Sequence, residues 1–200
     1  MSNEELLKMY EAIKADPGEL VRAAARKRLI NFARYMQPDL VLEPFHVVYY
    51  TLLDMFAHGK IRKMIVQQPP QHGKSEGSSR KLPAFMLGLD PDRKICIGSY
   101  AATIARDFNR DVQRIIDTPR YRELFPGTYL NGSNVVTMAN TYLRNSDVIE
   151  MVGRKGSLRV VGRGGSLTSK TVDVSILDDV YKDYAEGNSP IVRAAAWKWY

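Results

Sequence analysis

The sequence holds one cysteine, so no internal disulfide is open to it. Cys96 sits in the apolar run RKICIG, which reads as a buried strand thiol. Histidine is equally scarce: three residues, His46, His58 and His72, with no His/Cys set at zinc-ligand spacing and no Ser/His/Asp arrangement that stands out. No apolar run approaches the roughly 20 residues of a membrane span. The opening MSNEELLKMYEAIK carries two early acids and no uninterrupted apolar region, which argues against a secretory signal. There is no internal repeat and no low-complexity segment. These absences predict a cytosolic chain with no membrane partner.

What is present is ordinary for a globular protein: 200 residues, 44% apolar and 26% charged, enough for one substantial domain with its own core. The net charge of +7 leans toward anionic partners such as nucleotides or nucleic acid. A solvated basic surface accounts for the same number, so charge alone does not make this a DNA-binding protein.

Along the chain, residues 4–14 read as a short helix. Asp16-Pro17-Gly18-Glu19 reads as a helix start, with Asp16 as cap, Pro17 at the first position and Glu19 completing a capping box. The helix that follows, to about Tyr35, carries Arg22, Arg26, Lys27, Arg28 and Arg34, either as a solvated face or as a phosphate-facing one. Pro44 opens another helix, which Gly59 ends. A short strand is expected over Lys63–Gln67, then a helix to about Leu87 bent by Pro83. A second strand is expected over Arg93–Ser99. A second long helix follows over Ala101–Ile116, with Ile104, Phe108, Val112 and Ile115 on one face. Arg120 to Asn134 reads as irregular. Strands near Val148–Val152 and Leu158–Val161, joined by the Gly153–Ser157 turn, read as a hairpin. Arg163-Gly164-Gly165-Ser166 reads as a flexible loop and Val172–Leu177 as an apolar strand. Ser189-Pro190 starts a final helix. The alternation predicts an α/β fold with a mostly parallel sheet.

The strongest chemical signal is Gln68-Pro69-Pro70-Gln71-His72-Gly73-Lys74-Ser75. A phosphate-binding loop needs a strand, a tight turn exposing backbone N–H groups, a lysine, a hydroxyl, and then a helix. Lys74 would reach the β and γ phosphates, Ser75 would hold Mg²⁺, and Gly73 would let the backbone approach closely. Gln68 stands where the usual pattern has its first glycine. The competing reading is a plain surface loop. The second signal is VSILDD, Val174 to Asp179. A P-loop nucleotidase needs a second strand ending in an acid near Mg²⁺, the role of Asp178, and a further acid to polarise the attacking water, here Asp179. Many such enzymes use a glutamate there. Acid pairs at strand ends are also common as solvated loop residues; the pairing with an upstream phosphate loop favours the functional reading.

Four segments, in this order and spacing, resemble the large terminase family of tailed viruses, the phage type in particular. They are Glu43-Pro44-Phe45-His46, PPQHGKS, Gly98–Ile115 and Gly162–Asp179. The resemblance covers most of residues 40–200. It implies a RecA/ASCE-like P-loop NTPase fold of three layers over residues 41–200, with a helical extension over residues 1–40. The sheet would be incomplete at its C-terminal side. It also implies an ATP- and Mg²⁺-dependent ATPase that threads double-stranded DNA into a procapsid. The motor would work as a homo-oligomeric ring with a portal protein and a small terminase subunit, in the bacterial host cytoplasm. EPFH resembles the family's segment near the adenine. His46 could contact the base, although packing at a helix start explains it as well. Rings of this kind complete each site with an arginine; Arg106 and Arg110 are the candidates, against the alternative of surface helix arginines. The coupling segment and the nuclease domain would lie beyond Tyr200, and the apolar ending Trp197-Lys198-Trp199-Tyr200 predicts a truncated chain. Two other readings stand beside this one: a helicase-type P-loop ATPase, which needs a second RecA-like half, and a terminase remnant that binds nucleotide or a partner without turnover.

Overall fold

The structure, a computed structural model, describes residues 18–136, 141–165 and 171–199, together with Ser2, Glu4, Leu7, Tyr10, Glu11, Lys14 and Asp16. The helix expected over residues 4–14, the Pro17 position and Ser166 therefore lie partly or wholly outside the described residues.

The chain enters its first helical pair where Asp16 caps: its carboxylate accepts the Gly18 N–H at 2.9 Å. The single helix expected to Tyr35 is two helices, α1 (Gly18–Lys27) and α2 (Leu29–Met36). Arg28 between them is extended, φ −134° and ψ 128°. The cause is distant in sequence. Asp54, nearly fully buried on α3 (Pro44–Ala57), accepts the Leu29 N–H at 2.8 Å and pairs with the Arg28 guanidinium at 3.3 Å. A carboxylate that captures an amide at a helix start is an N-cap supplied by another element. α3 begins at Pro44 as expected, and the left-handed Gly59 (φ +72°) follows its end.

Among the described residues, 63–67 pair with no strand. Burial alternates there as in a strand, with Met64 and Val66 packed partly on the core and Ile65 91% exposed. A period of two decides which side chains turn inward; it does not supply a neighbour for the backbone N–H and C=O groups.

Helix then runs from Lys74 to Leu89. Its middle, Glu76–Lys81, is a π-helical turn, and α4 (Leu82–Leu89) continues from it. Pro83 explains the bulge. It has no N–H to donate, and its ring crowds the carbonyl four residues earlier. The wider turn ahead of it, in which the Leu82 N–H reaches Gly77 O five residues back, accommodates both defects without breaking the helix.

The sheet has four strands in the order β2-β3-β1-β4: β1 (Lys94–Ser99), β2 (Val148–Glu150), β3 (Ser157–Gly162) and β4 (Val174–Leu177). β1 is parallel to both β3 and β4, and β2 pairs antiparallel with β3, as the hairpin pattern predicted. Ile95 stands beside Leu158 and Val174, and Ile97 beside Val160 and Ile176. Ile95, Ile97, Leu158 and Ile176 belong to the hydrophobic core, and Val160 and Val174 are partly buried against it, so this face of the sheet meets the core helices. α5 (Ala102–Asp117) packs on it through Phe108 and Val112. On the other face Trp199 of α8 (Pro190–Trp199) lies against Gly98 and donates its indole N–H to Gly165 O at 2.9 Å.

The stretch expected to be irregular from Arg120 contains a short helix, α6 (Pro119–Leu124), capped by the Thr118 hydroxyl, which accepts the Tyr121 N–H at 3.2 Å. Thr-Pro is a helix-start signal, so this element was readable. Between β4 and α8 lies α7 (Tyr184–Asn188), capped by Asp183. Phe32 of α2 packs against Phe85, Tyr121 and Phe125, so the N-terminal helices share the core of the rest of the chain. The architecture is mixed α/β.

Candidate functional site

The loop ahead of the Lys74 helix turns on two residues in the left-handed region, Gln71 (φ +63°) and Gly73 (φ +76°). Alternating handedness over consecutive residues makes a concavity of backbone N–H groups that suits an anion. The helix that follows leaves its first N–H groups without intrahelical partners; Gly77 N, donating to Gly73 O at 3.1 Å, closes the first turn. Tyr49 fastens this junction by donating its hydroxyl to Lys74 O at 2.5 Å. Burial pushes the Tyr49 phenol up to about 12, so it remains a donor at neutral pH.

His46 sits against the loop. Its Nδ1 accepts the Glu43 N–H at 3.0 Å while Glu43 caps the helix in return, and its Nε2 faces Gly73, where an added Cβ would lie 3.4 Å away. Phe45 stacks on His46 at 3.9 Å between ring centroids and lies 5.6 Å from His72, whose Nδ1 is 2.8 Å from Pro70 O. Gln68, at the missing-glycine position, has a buried Oε1 that accepts no hydrogen bond from the described residues. A buried acceptor left in that state costs about 1–3 kcal/mol.

The acids arrive from the end of β4. Asp178 N donates to Gly98 O at 2.9 Å and Tyr100 N to Asp179 O at 2.8 Å, so the strand end is pinned to β1 just as it leaves the sheet. Asp179 then takes a left-handed conformation, φ +49°. The turn brings both carboxylates to the loop: Lys74 Nζ is 3.2 Å from Asp178 Oδ1 and donates to Asp179 Oδ1 at 2.6 Å. Burial by itself would lower the Lys74 pKa; the hydrogen bond and charge of Asp179 and the charge of Asp178 outweigh it and hold the ammonium above its ordinary value.

Ser79 is the residue that the sequence did not reveal. It is fully buried in the π-turn and donates to Asp178 Oδ2 at 2.6 Å. A serine four positions past a GKS motif carries no signal by itself. Tyr49 was equally hidden, although it falls three residues after His46 on the same helix face. Arg106 and Arg110 are engaged on the α5 surface, Arg106 with Asp147 at 2.7 Å and Arg110 with Asp107. Arg163, from the glycine loop, reaches nearer the acidic turn and donates to Val180 O at 2.9 Å and to Glu186 at 2.8 Å.

Among the described residues no three His, Cys, Asp or Glu side chains converge as a self-sufficient metal cage. A magnesium ion carried in by phosphates keeps several waters and is held by one or two carboxylates besides the phosphates. The acid pair beside Lys74 offers two carboxylates. Among the described residues no helix is long and apolar enough to cross a membrane. No family model matches the chain, and comparison with curated proteins and with solved structures returns no match.

Proposed function

We propose that this chain is the ATP-binding part of a viral DNA-packaging motor of the large terminase type, a Mg²⁺-dependent ATPase that drives double-stranded DNA into a procapsid. The observation that carries the nucleotide half of this reading is the meeting of Lys74 with Asp178 and Asp179 at 3.2 and 2.6 Å. They come from a glycine-containing loop and a strand end 104 and 105 residues apart in sequence. A cation, two acids, a hydroxyl and a helix start gathered at the carboxyl ends of parallel strands is the constellation that phosphoryl transfer requires. The terminase half rests on the resemblance of the four segments.

Lys74, with the amides from Gln71 onward, would hold the phosphates, and His46, whose Nε2 faces Gly73, would contact the base with Phe45 stacked beside it. Bound Mg²⁺ supplies neutralisation of the phosphate charge, with Asp178 and Ser75 as the residues that would hold it. Asp179, more exposed and one residue on, would orient the attacking water. Phosphates compete directly with the two carboxylates for Lys74.

Lys74→Ala tests the reading. Nucleotide affinity should fall at least tenfold with the chain still folded; the melting temperature should fall as well, because the exposed pair with Asp179 is worth little but the buried Asp178 carboxylate loses its cation. Equal affinity in parent and variant would show that the loop is not a phosphate site.

A further inference from the structure

The hydroxyl that meets Asp178 comes from Ser79, five residues after Lys74, and the π-turn is the reason that it can. Along an α-helix successive residues turn by about 100°, so a residue five positions on points roughly 140° away from the first. One extra residue absorbed in the turn takes back about 100° and leaves Ser79 within roughly 40° of Lys74. Both side chains then face the same carboxylate from one helix: Lys74 at Oδ1, 3.2 Å, and Ser79 at Oδ2, 2.6 Å. Lys74 is partly exposed and shared with Asp179, whereas Ser79 is 0% and Asp178 3% exposed. The Ser79 bond is therefore the one shielded from water, and it fixes the carboxylate plane.

We infer that Ser79 is a positioning residue for Asp178: by holding Oδ2 from behind, it aims Oδ1 at the loop and sets the Mg²⁺ dependence of nucleotide binding. This rests on the nucleotide-site reading above. A carboxylate free to rotate loses the orientation that a hydrogen-bonded partner gives, and such partners are typically worth about 10–100-fold in metal affinity.

The experiment titrates Mg²⁺ against binding of a fluorescent ATP analogue, with the same nucleotide in EDTA and the melting temperature of the nucleotide-free chain as companion readings. Ser79→Ala is expected to raise the half-saturating Mg²⁺ by about tenfold and to leave affinity in EDTA unchanged. Ser79→Thr, which keeps the hydroxyl, is expected to restore the parental Mg²⁺ curve. Should its added methyl unfold the chain, Ser79→Cys keeps the size with a weaker donor and is expected to fall between parent and alanine. A lowered melting temperature with an unchanged Mg²⁺ curve would reduce Ser79 to a packing residue and overturn the inference. Lys74→Ala is run alongside. If it binds nucleotide as the parent does, the site reading itself fails and this inference with it. If it binds weakly while Ser79→Ala keeps the parental curve, only the role of Ser79 is lost.

Discussion

Lys74 lies between two carboxylates of unequal burial: the Asp178 side chain is 3% exposed and that of Asp179 59%. The difference separates their substitutions. Asp178→Asn removes the charge from a group that Ser79 and Lys74 both address inside the protein, and should cost on the order of 1–3 kcal/mol of stability. It should also weaken Mg²⁺-dependent binding. Asp179→Asn should cost less than about 1 kcal/mol, because the lost ion pair is exposed and asparagine tolerates the left-handed backbone that this position adopts. Nucleotide binding should survive it, while the slow hydrolysis expected of an isolated subunit, which has no arginine from a neighbour, should drop further. Denaturant melts rank the stabilities and single-turnover hydrolysis separates the roles. An Asp179→Asn variant that hydrolyses ATP at the parental rate would move water activation to another residue or to a partner.

At the scale of elements, the site is an alignment of α3 against the π-turn. His46, Tyr49 and Leu53 occupy one face of α3, and Gly77 gives that face room: a Cβ there would lie 2.6 Å from the Tyr49 ring and 3.1 Å from Leu53 Cδ1. Gly77→Ala gains about 1 kcal/mol of helix propensity and loses about 1–3 kcal/mol to overpacking. The clash is with a ring, which has no flexible end to move aside. The melting temperature should therefore fall. Displacing Tyr49 also withdraws its hydroxyl from Lys74 O, so nucleotide affinity should fall with it. A variant as stable as the parent, with unchanged affinity, would show that the junction does not depend on this close approach. In the sequence, Pro83 announced an irregularity in this helix, but a bend and an inserted residue look alike at that level.

The molecule as a whole should be vulnerable to alkali. Burial raises the phenols of Tyr49, to about 12, and of Tyr50 and Tyr121, and raises the Cys96 thiol to about 11. A group whose pKa is raised in the fold binds its proton more tightly there than in the unfolded chain. Its contribution is complete below the unfolded value, near 10 for tyrosine and 8.5 for cysteine, and is lost as pH rises through the folded one. Lys74, also raised, has the same sign. Stability should thus decline from about pH 9 and steeply between about 10 and 12; a flat melting temperature across that range would contradict the burial of these groups. The sequence by itself singled out Lys74 and the Asp178-Asp179 pair as candidates, and it determined the amphipathic helices, the hairpin of β2 and β3 and the apolar strands β1 and β4. Each is carried by periodicity, a cap or a turn residue within a short window. The tertiary structure alone decided that α1 and α2 part at Arg28, that residues 63–67 find no ladder partner among the described residues, and that Ser79 meets Asp178. Asp54 acts on Leu29 from 25 residues away, and Asp178 on Ser79 from 99. A hydrogen bond across such a distance leaves no periodic trace in the chain; it exists only once packing has brought the two groups together and excluded the water that would otherwise satisfy them.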